Sequence, residues 1–149
     1  MDAINFERHS NSIEDIGILF MSKIILSKTV QSIELPQEKM HGRQNKMIIA
    51  GWGSGLEHDI THHEKLHFGE TLVYAVVWGV DLIRPHDNVN RACISDMGTP
   101  LVHPNGTVLA GIGTLWTFRL CTTRHGDMSF YTPIYIHAEW IAKNRNRSV

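Results

Sequence analysis

Apolar runs in this sequence are short, and turn-forming residues separate nearly all of them. Met47 to Ala50 leads straight into Gly51-Trp52-Gly53-Ser54-Gly55, and glycines that dense end a strand. Leu101-Val102 and Val108-Leu109-Ala110 flank His103-Pro104-Asn105-Gly106-Thr107. Asn-Gly accepts the positive φ angles of a tight turn, so this segment reads as a hairpin. Ile16 to Phe20 and Lys23 to Leu26 have strand length, as does Phe130 to Ile136. Thr71 to Val80 carries the Val, Tyr and Trp expected of a buried strand. Glu57 to His67 is polar and histidine-rich and reads as a surface loop. From His137, Ala138-Glu139-Trp140-Ile141-Ala142-Lys143 has helical preferences and closes the fold. Many short strands with turn signals predict an all-β barrel or sandwich rather than a βαβ fold.

The chain has 149 residues, enough for one ordinary domain or one and a half small barrels, and its 42% hydrophobic content can supply a core. Fourteen basic residues stand against fifteen acidic ones, a formal charge of -1. That balance gives no pull toward nucleic acid, anionic membrane or acidic substrates. The apolar runs are too short to span a bilayer. Met1-Asp2-Ala3 lacks the basic start and apolar stretch of a signal peptide. Cys93 and Cys121 permit one disulfide or two free thiols, and counting does not decide between them.

Ser95-Asp96-Met97-Gly98-Thr99-Pro100-Leu101-Val102, preceded by Cys93, resembles the GDSGGPLV hallmark of the chymotrypsin/trypsin family of serine proteases. Leu109-Ala110-Gly111-Ile112 is similar to the strand that follows that hallmark. Phe130-Tyr131-Thr132-Pro133-Ile134 with Trp140-Ile141 resembles the family's C-terminal "VYT.V....WI". Upstream, Ile48-Ile49-Ala50-Gly51-Trp52-Gly53 is similar to its "GWG" strand. Asp15-Ile16-Gly17-Ile18-Leu19 and Ile33-Glu34-Leu35-Pro36 resemble its "DIALL" and "I.LP". The landmarks come in the family's order and cover nearly the whole chain.

The resemblance implies the C-terminal β-barrel of a double-barrel fold, with a remnant of the first barrel and a terminal helix. Residues 1-36 would be that remnant and its connector, and residues 37-149 the second barrel and helix. The first barrel would keep only its last strand, around Asp15 to Met21, with a hydrophobic edge left open. Either that strand folds onto the second barrel or the chain is a truncated piece of a longer protein, and truncation is the expectation.

Site residues follow from the same resemblance. Asp15 falls where the family's orienting aspartate belongs, but only fourteen residues precede it, and His9 is too close to serve as the base. Met97 occupies the nucleophile position, and a thioether has no proton to transfer and cannot form an acyl-enzyme. Ser95 stands where the family uses a glycine to build the oxyanion hole. Arg91 falls at the floor of the specificity pocket, where it would repel the basic side chains that trypsins accept. Asp96 takes the place of the residue that pairs with the new N-terminus after zymogen cleavage. Unpaired burial would cost it several kcal/mol, so it is expected to bond a hydroxyl or a cation, or to be exposed. A Cys93–Cys121 disulfide is implied. Trp116 either packs as the family's tryptophan does or fills the cleft.

The resemblance therefore implies a catalytically inactive homologue, extracellular, without cofactor, that binds a protein partner. Its losses are similar to those of arthropod serine protease homologues that act as immune cofactors, and of scabies mite inactivated protease paralogues, which act on host complement. Host or self immune proteins are accordingly the expected partner class, with no nucleic acid and no membrane. Two further features stand beside this reading. His63-Glu64-Lys65-Leu66-His67 spells HExxH, which on a helix would support a metal-dependent hydrolase through His63, Glu64 and His67. Its place between two strands argues against that helix, and with ten histidines in the chain, adventitious binding by His58, His62, His63 and His67 is the plainer reading. Asn105-Gly106-Thr107 is an N-glycosylation sequon on the predicted hairpin tip.

Overall fold

The computed structural model describes residues 5–8, 16–21, 24–39, 45–52, 65–77, 81–85, 96–116 and 129–145. A two-stranded sheet, β1 (Asn5–Arg8) and β2 (Gly17–Phe20), precedes six strands. These are β3 (Asn45–Gly51), β4 (His67–Val77), β5 (Asp81–Pro85), β6 (Pro100–Val102), β7 (Leu109–Trp116) and β8 (Ser129–Pro133). A 3-10 turn over Ile134–His137 leads into the helix α1 (Ala138–Asn144). The six strands close into an antiparallel barrel in the order β3-β4-β5-β8-β7-β6, with β6 paired back onto β3. Closure leaves the barrel itself without an open edge, which is how such a sheet avoids edge-to-edge pairing with others.

Strand β3 shows how the sequence drives this. Its side chains alternate with period two, so Met47 and Ile49 point inward while Lys46 faces water. Val73 of β4, Ile83 of β5, Leu101 of β6, Ala110 of β7 and Tyr131 of β8 meet them in one core. Strand β8 is buried along its whole length, and its Tyr131 lies opposite Ile83 on one side and Gly113 on the other. The β6–β7 hairpin closes as the Pro-Asn-Gly signal predicts. The N–H of His103 donates to Val108 O (2.9 Å), that of Gly106 donates to His103 O (2.8 Å), and Gly106 adopts φ 76°.

Several expectations need correction. The first-barrel remnant is not a lone strand, because β1 pairs along the full length of β2, from Asn5↔Phe20 to Arg8↔Gly17. Ile24 to Leu26 form no strand; they run as exposed connector, with Ile25 85% exposed. The connector is pinned further on, where Glu34 N–H donates to Thr107 O (2.8 Å) and Leu109 N–H donates to Glu34 O (2.9 Å). Strand β4 begins at His67 rather than Thr71, so the polar loop ends earlier than its composition suggests. The strand expected over Phe130 to Ile136 stops at Pro133. Beyond it Ile134 and His137 are buried three residues apart, the period of a 3-10 turn rather than a strand.

Core and connector should respond differently to truncation. Ile83→Ala removes a side chain with no exposure and is expected to cost about 3 kcal/mol. Ile25→Ala is expected to change stability by less than about 0.5 kcal/mol. Urea denaturation followed by tryptophan fluorescence measures both, and equal losses would contradict the burial described.

Candidate functional site

The segment between β5 and β6 ends in a tight loop at Asp96-Met97-Gly98-Thr99, fastened mostly by main-chain bonds. Asp96 O accepts from the Thr99 N–H (3.1 Å) and from the Thr99 hydroxyl (2.6 Å). Gly98 N–H donates to Gly113 O and Gly113 N–H donates to Thr99 O, each at 2.9 Å, which stitches the loop to β7. The loop is thereby fixed without help from the side chain of residue 97. Met97 stands 52% exposed on its outside.

Beneath the loop, the Asp96 carboxylate is buried, and its Oδ1 accepts the N–H of Trp52 at 2.9 Å. Burying a carboxylate without donors is costly, and a directed backbone amide offsets part of that cost. Solvent exposure, one arrangement expected for Asp96, is removed by its burial. The donor identified is a main-chain amide just past the end of β3. Gly51 makes this approach possible, because a Cβ there would overlap the Asp96 carboxylate. Tyr131 lies on the inner side of the same cluster. Burial pushes its phenol well above the ordinary value of 10, the Thr99 side chain opposes that rise and the Asp96 charge adds to it.

The structure thus brings Asp96 and Met97 together with Gly51, Trp52, Thr99 and Tyr131. Asp15, Arg91, Cys93, Ser95, Cys121 and His63 lie outside the described residues, as does Glu64. Trp116 is placed only through its backbone, opposite Ser129. His67 is placed, and its position speaks against the zincin reading. It opens β4 opposite Gly51, in extended backbone, whereas HExxH chemistry requires a helix through both histidines. Among the described residues no group of three or more His, Cys, Asp and Glu gathers to hold a metal. Asn105 is exposed on the β6–β7 turn.

Thr99 and Tyr131 went unread as parts of the site. Thr99 left a signal: it stands where the hallmark carries a glycine, and its added hydroxyl closes the loop on Asp96 O. Tyr131 left none, because it comes near Thr99 only once β7 and β8 are paired, with Gly113 between them.

A family model described as Trypsin matches residues 1–141. Among solved structures, the chain is similar to neuropsin, a serine protease expressed in the limbic system of mouse brain. That match has a TM-score of 0.79 at 20% identity and covers 95% of this chain and 70% of that one. It is similar to HL collagenase, with a TM-score of 0.75 at 17% identity, over 97% of this chain and 69% of the other. It is also similar to human heparin binding protein, with a TM-score of 0.77 at 19% identity, over 97% and 66%. At these identities the likeness is one of fold. No curated protein sequence matches the chain.

Two measurements check the cluster. Gly51→Ala forces the Asp96 carboxylate aside and is expected to cost about 2 kcal/mol in urea denaturation; no loss would contradict the close approach. Tyr131 makes stability depend on alkaline pH. The fold favours its neutral form, so its contribution is complete below pH 10 and declines as pH rises further, where the unfolded tyrosine ionises. Absorbance titration should show Tyr131 ionising only as the chain unfolds, a phase that Tyr131→Phe should remove. A tyrosine titration unchanged by Tyr131→Phe would contradict the burial.

Proposed function

The chain belongs to the trypsin family of serine proteases, and on that premise we propose that it binds a protein partner without cleaving it. The carrying observation is Met97, exposed at the position where the family's hallmark has its nucleophilic serine. A thioether sulfur has no proton for a base to remove, and an acyl-sulfonium intermediate would not be a stable stage of hydrolysis. Ser95 and Arg91, which the resemblance aligns with the oxyanion glycine and with the floor of the specificity pocket, support the same reading, since each would alter a part the reaction needs. The loop that carries Met97 is nevertheless held in a defined shape by bonds that do not involve its side chain. A rigid loop without a reactive atom suits recognition, not turnover.

Partner chemistry is narrowed by charge. One similar structure is named as a heparin binding protein, but a formal charge of -1 gives this chain no net attraction for a polyanion. A protein surface is therefore the partner we propose, with immune proteins the class that family resemblance supplies. Family resemblance also supplies an extracellular setting and a Cys93–Cys121 bridge. Alkylation of the unreduced, denatured chain is expected to modify neither cysteine, and modification of both would remove the bridge.

Peptidase and esterase assays test the central reading. Initial rates on basic, aromatic and small-residue substrates are expected to equal those of the Met97→Ala variant, with no covalent labelling by a fluorophosphonate. A wild-type rate clearly above that variant, or stoichiometric labelling, would overturn it.

A further inference from the structure

One motif remains unused by family membership: Asn105-Gly106-Thr107, on the turn between β6 and β7. Every residue from Pro104 to Thr107 is exposed. Asn105 Oδ1 accepts the N–H of Thr107 at 3.1 Å, so the carbonyl branch of this side chain is tied back onto the turn. Its amide nitrogen Nδ2, the atom to which a sugar would be bonded, takes no part in that contact. The Thr107 main chain is likewise occupied, its N–H by Asn105 and its O by the Glu34 N–H at 2.8 Å, while its side chain faces solvent. Middle residue Gly106 carries the left-handed φ of 76° that the turn needs and adds no side chain beside Asn105.

We propose that Asn105 is an N-glycosylation site, with the glycan carried on the tip of the β6–β7 hairpin. This rests on the extracellular setting proposed above, since the modifying transferase acts in the secretory pathway. In the step, Asn105 Nδ2 forms a bond to the anomeric carbon of a lipid-linked oligosaccharide. The bond from that carbon to the pyrophosphate oxygen breaks, and the lipid pyrophosphate leaves with the electron pair. Nδ2 gives up one proton to a base, and nothing is oxidised or reduced. The folded hairpin can carry the product, because its turn is exposed and none of the bonds that hold it uses Asn105 Nδ2: they are main-chain bonds, the Thr107 N–H donated to Asn105 Oδ1, and the Asn105 N–H donated to His103 Nδ1 at 3.4 Å. Asn146-Arg147-Ser148 repeats the motif outside the described residues, and it serves as the internal comparison.

Cell-free translation into microsomes tests the site apart from the location, because a fused secretion leader supplies entry. Only protease-protected chains are scored. The full chain is expected to show a mobility shift that an endoglycosidase reverses, lost in Asn105→Gln and Thr107→Ala, retained in Thr107→Ser and Asn146→Gln. Protected chains without a shift would overturn the proposal, as would a single shift that Asn146→Gln abolishes and Asn105→Gln leaves intact. Failure here would leave the reading of Met97 untouched, since no part of that reading depends on a glycan.

Discussion

A buried carboxylate that accepts a backbone amide organises this molecule: Asp96 on the N–H of Trp52. A carboxylate in the interior must be met by directed donors, and the donor here lies on the far side of the barrel sequence, 44 positions away. Meeting it requires Gly51, because any larger residue would occupy the carboxylate's space. The same aspartate turns its main-chain oxygen to Thr99, which closes the loop, and Gly98 and Gly113 bind the loop to β7. Strand β3, the loop and β7 are in this way held to one another at the top of the barrel.

Shape and chemistry are separable at this site. The bonds that set the loop come from main-chain groups, Asp96 and Thr99, so exchanging the side chain at residue 97 need not alter the backbone around it. The shape of the loop is therefore independent of whether residue 97 carries a reactive atom. Barrel closure acts in the same direction, since a core of residues from all six strands does not depend on any catalytic group.

Much of this was legible in the sequence where local chemistry decides. The alternation in β3, the Pro-Asn-Gly turn and the preferences of α1 each act within a few residues. Strands β1 and β5 were missed because Asn-Phe-Glu-Arg and Asp-Leu-Ile-Arg-Pro carry little pattern of their own. They become strands through their partners, β2 for the first and β4 with β8 for the second. Ile24 to Leu26 failed in the opposite way, being apolar enough for a strand but left without a ladder. Met97 and Asp96 could be placed by their frame, whereas the enclosure of Asp96 could not, because it joins residues from β3, the loop and β8 that only the closed barrel brings together.

Amide hydrogen exchange at Trp52 tests the organising bond most directly. Protection of the Trp52 N–H is expected to be comparable with that of paired β3 amides such as Ile49, although Trp52 is 48% exposed. Asp96→Ala is expected to remove that protection while leaving Ile49 slow to exchange. A Trp52 amide that exchanges as freely in the wild type as in an unstructured peptide would contradict the bond to Asp96.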